Sequence, residues 1–316
     1  MQRASGSQRK LRRSSRDPPG RSCAVGVARC EHNSRPRKRW PSTENEGHTV
    51  NYGDSLKTLT IAREGGVATV TFTRPDEMNR FDVEQESEFI DALKFLRRAE
   101  GGLRVVILAA EGKAFSAGGD VGTVRAMATD FAARTRAVAA GMELMNQLLT
   151  FPLPIVTAVQ GLAMGLGANV AFATDIVVAW RHARLADPHV KIGLVAGDGG
   201  VVLWPLSAGL LRAKRHLLTG DALTAEDAYT FGLVTDLVDN PEDVLPQARA
   251  LADKIAALPP LAVQGTKAAL NRMAGQRAGE VLELSLQLEA MTMASDDMVE
   301  ATTAFTEKRP GIYIGR

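Results

Sequence analysis

Short, almost entirely apolar runs alternate with longer amphipathic stretches through the middle of the chain. The apolar runs are Val105–Ala109, Ile155–Val159 and Ile176–Ala179. Strands that are buried on both faces of a parallel sheet have this character. Because a periodic stretch at Ala132–Leu149 predicts a helix between two of these strands, the alternation predicts crossover connections and a layered α/β fold.

A hairpin is predicted to open the ordered part of the chain. Leu59–Arg63 and Val67–Phe72 are rich in β-branched and apolar residues, and Gly65 and Gly66 lie between them. Two strands around a glycine turn are typical of a β-hairpin. The 3–4 spacing of apolar residues in Val83–Arg98 then predicts an amphipathic helix.

Three regions follow from this pattern. Residues 1–50 are predicted to be a disordered basic leader, 55–250 an α/β core and 251–316 a C-terminal helical region. The C-terminal helices are expected to be interrupted at Pro259-Pro260 and at Gly275–Gly279, since proline and glycine are the strongest breakers.

The charge of the chain is uneven. Residues 1–40 hold 12 Lys and Arg against two acids, and the remainder is acidic. The leader is too poor in apolar residues to pack into a core. It is interpreted as unstructured sequence upstream of the folded part, with a mitochondrial targeting segment or a nucleic-acid-binding tail as alternatives.

Both cysteines, Cys23 and Cys30, lie in the leader, which leaves the core without a disulfide, a thiol ligand or a thiol nucleophile. No apolar run approaches the roughly 20 residues that span a bilayer. Five scattered histidines show no metal-ligand spacing, so no metal is expected. These features favour a cytoplasmic enzyme, or a mitochondrial one if the leader is a targeting segment.

Two glycine-bearing segments, Lys113–Asp120 and Gly161–Asn169, each follow an apolar run. Glycine lets the backbone approach a ligand closely, and the second segment opens a predicted helix, whose N-terminus favours negative charge. The two segments therefore predict the two halves of an oxyanion hole, which would stabilise a carbonyl oxygen that gains charge during a reaction.

Further short motifs occur in order along the chain: Arg74-Pro75 with Asn79, Ala158–Gly161, Asp175-Ile176, Gly193, Gly199-Gly200, Leu218–Gly220 and Gly232–Val234. With the two glycine segments, they make the chain from Leu59 to its C-terminus similar to the crotonase (enoyl-CoA hydratase/isomerase) superfamily. The resemblance implies a ββα spiral core with a C-terminal helical region, trimers or hexamers, and an acyl-CoA thioester as substrate. It places the oxyanion hole at the backbone N–H groups of Ala117 and Leu166.

The chain departs from the hydratases of this superfamily at both catalytic glutamates, where it has Asn169 and His189. The Asn169 amide is expected to position other groups, or only to satisfy nearby backbone. His189 can exchange protons near neutral pH, or is an ordinary loop histidine. Asp198 occupies a turn where dienoyl-CoA isomerases place an acid nearby, but an aspartate before Gly199-Gly200 also suits a helix N-cap. His189, Asp198 and Asn169 are the candidate catalytic residues.

The resemblance also supplies candidate contacts to coenzyme A, which is part of the substrate, so no separate cofactor is expected. These candidates are Arg80, Lys113, Ala114, Phe115, Gly118, Asp120, Phe305 and Lys308. Trp204 is expected in the core.

The predicted function is that of an acyl-CoA-processing enzyme of the enoyl-CoA hydratase/isomerase family, with an enolate held in the oxyanion hole. Two alternatives use His189 and Asp198 differently: a double-bond isomerase, which needs one base, and a hydrolase, which activates water. A protein that only binds acyl-CoA or RNA on the same scaffold is the non-enzymatic alternative.

Overall fold

The fold is described from a computed structural model for residues 50–51, 56–98 and 100–316. The predicted leader, residues 1–50, lies outside this range except for Val50. The described residues belong to one compact unit, Trp40–Arg316. In them, no helix is both long and apolar enough to cross a bilayer.

Eleven strands and ten helices are present in these described ranges. The strands are β1 Val50–Asn51, β2 Leu59–Glu64, β3 Val67–Phe72, β4 Val105–Ala110, β5 Ala114–Ser116, β6 Ile155–Val159, β7 Leu162–Met164, β8 Ile176–Trp180, β9 Arg184–Ala186, β10 Leu223–Thr224 and β11 Asp236–Val238. The helices are α1 Val83–Leu96, α2 Val121–Ala126, α3 Phe131–Leu149, α4 Leu166–Phe172, α5 Gly200–Ala208, α6 Leu210–Leu217, α7 Ala225–Phe231, α8 Val244–Ala256, α9 Pro260–Thr292 and α10 Asp296–Glu307.

The main sheet has seven strands in the order β1-β2-β3-β4-β6-β8-β11. β2 and β3 form the predicted antiparallel hairpin, with Leu59 opposite Phe72. From β3 onward all neighbours are parallel. The predicted α/β class is therefore confirmed, and the apolar runs are the central strands β4, β6 and β8.

A second, smaller sheet is present that the sequence does not predict. Its order is β10-β9-β7-β5, and the β9–β7 and β7–β5 pairs are parallel. The strands have two or three residues each, which is too short for a readable periodicity.

The main sheet buries both faces. On one side a large core includes Phe72, Phe89, Phe115 and Trp204, and the rings of Phe72 and Phe89 meet edge to face at 5.3 Å. On the other side β4, β6 and β8 pack under α8. Each fully buried large side chain contributes about 1.5–3 kcal/mol, so the sheet is a rigid base for the loops at its edges.

The C-terminal region differs from its prediction in two respects. Pro259 and Pro260 do separate α8 from α9, but α9 runs for 33 residues without a break at Gly275–Gly279. Each glycine costs about 1 kcal/mol in a helix, which the packing of α9 against α3 and α5 outweighs. The helical region also begins at Val244, ahead of the expected boundary at residue 251.

Candidate active site

The carboxyl ends of three neighbouring strands of the small sheet define the site. β5 ends at Ser116, β7 at Met164 and β9 at Ala186. Because the strands are parallel, the residues that follow them meet at one edge. A cavity of about 520 Å³ lies there, lined mainly by apolar side chains.

The two glycine segments touch each other beside this cavity. Gly118 has a φ of +84°, and a Cβ there would lie 2.5 Å from the backbone oxygen of Met164. Only glycine allows this approach, because a larger residue would be strained and would collide with backbone.

The predicted oxyanion donor Ala117 requires correction. Its N–H already donates to the backbone oxygen of Met78 at 2.9 Å. Among the other N–H groups that the two glycine segments place beside the cavity, those of Gly119 and Leu166 have no hydrogen-bond acceptor within the described ranges. Leu166 is the first residue of α4, where helical N–H groups lack intrahelical partners. The pair of available donors is therefore Gly119 and Leu166.

His189 follows β9 and is buried between two carboxylates. Its Nδ1 donates to Oδ1 of Asp187, and its Nε2 lies 3.3 Å from Oδ2 of Asp198. The structure thus brings together two of the candidate catalytic residues, His189 and Asp198. Asp198 makes no cap hydrogen bond, because the N-cap of α5 is Gly199.

Asn169 joins the two carboxylates. Its Nδ2 donates to Oδ2 of Asp187 at 3.0 Å and to Oδ1 of Asp198 at 2.8 Å, while its Oδ1 accepts from Nε1 of Trp204 at 3.3 Å. Asn169 is fully buried. Its amide is thus occupied in positioning Asp187 and Asp198, and Trp204 is in the core as expected.

Glu289 on α9 approaches the same imidazole, with Oε1 3.9 Å from Nε2 of His189. Its Oε2 is buried without a hydrogen-bond partner among the described residues. Gly197 allows α9 to pack this closely, because a Cβ at Gly197 would lie 2.5 Å from the backbone oxygen of Ser285. Sequence reasoning missed Glu289, because nothing in its surroundings distinguishes it from the other acids of a long helix.

The charges of this cluster shift its proton affinities. Burial lowers the pKa of His189, but Asp198 and Asp187 outweigh it and the pKa is raised well above its ordinary value. Burial favours protonation of Asp187, yet the charge of His189 holds its pKa below the usual range. Burial and the charge of Asp198 raise the pKa of Glu289 well above normal. The site therefore combines an imidazolium, ionised aspartate and a neutral glutamic acid.

A fourth acid, Glu86 on α1, also lines the cavity. Burial and the charge of Asp198 raise its pKa to about 7. Sequence analysis placed it only within a helix and assigned it no role.

Three of these side chains correct the expectation that no ligand cluster exists. Asp187, His189 and Asp198 offer atoms that all lie within 4.8 Å of one another, as a metal site would require. The two aspartates also raise the pKa of His189, so a metal ion would have to displace a proton from the imidazole.

The candidate coenzyme A contacts are dispersed. Phe115 is fully buried against Phe72, and Ala114 is buried with it, so neither side chain is available to a ligand. Both faces of β5 are covered, which buries these two side chains, and a contact of this segment with coenzyme A stays a prediction.

Arg80 and Asp120 form an ion pair with each other, and Asp120 also caps α2 through the Thr123 N–H. Gly118, Asp120 and Phe305 line the cavity. Lys113 is exposed and Lys308 ends α10, and neither lines it.

The fold places the N–H groups of Gly119 and Leu166 and a buried cluster of ionisable side chains beside one cavity, as in the active site of an enzyme. The family model for enoyl-CoA hydratase/isomerase matches residues 62–316, and the chain belongs to this family. It is an acyl-CoA-processing enzyme, as its sequence predicted.

Individual relatives agree with this membership. The chain is similar to a short-chain-enoyl-CoA hydratase of Clostridium acetobutylicum, with 30% identity over 80% of this chain and 96% of the relative. A solved enoyl-CoA hydratase/isomerase from Mycobacterium paratuberculosis has 33% identity and a TM-score of 0.75, over 79% of this chain and 99% of the other. A β-diketone hydrolase from Anabaena, solved with (S)-3-oxocyclohexyl acetic acid, has 29% identity and a TM-score of 0.69, over 76% of this chain and 95% of the other.

Proposed function

We propose that this enzyme adds water to C3 of an acyl-CoA thioester, which makes it a hydratase of 2-enoyl-CoA. The observation that carries the proposal is the pairing of a carboxylate, Asp198, with a neutral carboxylic acid, Glu289, around one imidazolium. An isomerase needs one group to move one proton. Hydration needs a base for water and an acid for the substrate, and both are available here.

The thioester oxygen binds to the N–H groups of Gly119 and Leu166 in this proposal. Negative charge moves onto that oxygen when water attacks C3 and an enolate forms across C1 and C2. Preorganised donors of this kind contribute about 2.7–4 kcal/mol each to the reaction. The N-terminus of α4 adds the favourable end of a helix dipole at Leu166.

Asp198 takes the proton from water, and Glu289 delivers a proton to C2. Nε2 of His189 lies 3.3 Å from Oδ2 of Asp198, and Asp187 with Asn169 holds His189 and Asp198 in place. The two carboxyls that replace the usual glutamate pair thus come from the loop before α5 and from α9.

Hydrolysis of a 3-oxoacyl thioester is a second candidate, because water would again attack C3. The bond between C2 and C3 then breaks, C3 leaves as a carboxylic acid, and protonation of C2 yields acetyl-CoA. Two observations favour this alternative. The cavity holds a second protonatable acid, Glu86, beyond what hydration requires, and the Anabaena relative is named as a β-diketone hydrolase.

The test is turnover in H₂¹⁸O with 2-enoyl-CoA and 3-oxoacyl-CoA thioesters of matched length, analysed by mass spectrometry. Hydration places ¹⁸O in a 3-hydroxyacyl-CoA, and hydrolysis places it in a released carboxylic acid. Asp198→Asn and Glu289→Gln should each lower kcat by roughly 10²-fold or more. Glu242→Gln, an exposed acid, serves as the matched control. A shifted double bond without ¹⁸O would show an isomerase and refute the proposal.

We further propose a homotrimer or hexamer in the cytoplasm. Exposed apolar side chains on α9, such as Leu261 at 84% and Met291 at 65%, support burial between subunits. The absence of cysteine from residues 41–316 supports a reducing compartment. Sedimentation velocity on the full chain tests the assembly.

A further inference from the structure

Glu86 differs from the three acids nearest to it in the sequence. Asp82 caps α1 through the N–H of Gln85, Glu84 pairs with Lys57 at 2.7 Å, and Glu88 accepts from the N–H of Thr58 at 2.9 Å. Glu86 has no side-chain hydrogen bond or ion pair with any residue in the described ranges. Its carboxyl faces the cavity instead.

No hydrogen bond or ion pair from the described residues stabilises this carboxyl. The cavity wall includes the apolar side chains of Val83, Val138 and Leu286. The groups that interact electrostatically with Glu86 are Asp198 and Glu289, which are also acids. A polar group in such a place costs free energy unless a partner arrives. Glu86 therefore lowers the stability of the protein without its ligand, which indicates that the carboxyl acts when a ligand is bound.

We propose that Glu86 determines specificity by hydrogen-bonding an oxygen substituent, a hydroxyl or an oxo group, on the acyl part of the substrate. A carboxyl that titrates near neutral pH accepts from a hydroxyl when ionised and donates to a carbonyl when protonated. An ammonium substituent fits less well, because the apolar wall would have to desolvate its charge. The inference rests on the proposed function only in taking an acyl-CoA as the ligand.

Binding of unreactive ligands separates this inference from the reaction itself. Isothermal titration calorimetry would compare hexanoyl-CoA with hexanoyl-CoA thioesters that carry one oxo or one hydroxyl group at C4, C5 or C6, and with 6-aminohexanoyl-CoA. These saturated ligands bind whether or not the hydratase or hydrolase proposal holds. Turnover is not part of the readout.

We expect the wild-type protein to bind at least one oxygenated ligand about 10-fold more tightly than hexanoyl-CoA, as a hydrogen bond to a charged group allows. Glu86→Leu should abolish that preference, and Glu86→Gln should retain part of it. Glu84→Leu, on the exposed face of the same helix, should leave it unchanged. Thermal unfolding should show Glu86→Leu to be at least as stable as the wild type.

Three results would overturn the proposal. These are equal affinity of the wild type for all of the thioesters, tightest binding of the amino compound, or an oxygen preference that survives in Glu86→Leu. Loss of stability in Glu86→Leu would show instead that the carboxyl has a structural partner.

Discussion

Replacement of Asn169 by aspartate tests the positioning of the catalytic carboxylates most directly. The two side chains have nearly the same shape, so packing is preserved. The variant loses two donors, at 3.0 Å to Asp187 and 2.8 Å to Asp198, and adds a third negative charge. Hydrogen bonds to charged groups are worth about 1.5–3 kcal/mol each, so the loss is roughly 3–6 kcal/mol for a fully buried residue.

The effect should depend on pH. Burial and the neighbouring carboxylates raise the folded-state pKa of the introduced carboxyl above its unfolded value of about 3.9. A carboxyl whose pKa is raised by folding destabilises the protein least below its unfolded-state pKa, where it is protonated in both states. The loss of folding free energy grows as the pH rises through the folded-state pKa. Asn169→Asp should therefore be closest to the wild type in acid and least stable above neutral pH.

Urea denaturation between about pH 5 and pH 8 measures this dependence. Asn169→Leu is the control, since it removes both donors without adding charge and should show no such additional loss with rising pH. We expect kcat/KM to fall in both variants. If the unfolding free energies of both at about pH 8 lie within about 1 kcal/mol of the wild type, the bridging role of Asn169 is wrong.

Two further predictions concern the cluster and the amide pair. Asp198→Asn should lower the pKa of His189 toward about 6.5 in an NMR titration of the imidazole, and an unmoved pKa would contradict the coupling. Because the wild-type pKa of His189 is raised, the stability that Asp198 contributes through His189 is complete below about pH 6.5 and disappears as the pH rises through the folded-state pKa. The variant should therefore lose more stability in acid than in base. Gly167→Ala places a Cβ 2.6 Å from the Cβ of Ser116 and should displace Leu166, which lowers kcat/KM by about 10-fold or more. The control Gly265→Ala has open space around the new Cβ and should leave kcat/KM unchanged. Equal activities of the two variants would show that the position of the Leu166 amide does not matter.

Sequence reasoning located the parts of the fold that have strong local signals. β4, β6 and β8 are uniformly apolar because both sheet faces are covered, and Pro260 begins α9 because proline suits the first turn of a helix. The small sheet was missed because its strands are shorter than any periodicity. The glycines of α9 misled the prediction because tertiary packing overrides local propensity.

The site was predictable where it follows the strands. His189 and Asp198 lie in loops that β9 and α5 bring together. The choice of Ala117 failed because spacing identifies a loop but does not show which N–H is already bonded, here to Met78. Glu289 could not be found, because 100 residues separate it from His189 and only tertiary packing joins them.

The distance of Glu289 along the chain has a consequence for biosynthesis. Once the chain up to about Val238 has left the ribosome, it contains all eleven described strands, the amide pair and the aspartate–histidine group. Its acid arrives only when α9, roughly 50 Å long, has emerged and docked against Gly197. If Glu289 is the acid, as proposed, the unfinished polypeptide is inactive toward acyl-CoA until α9 has docked.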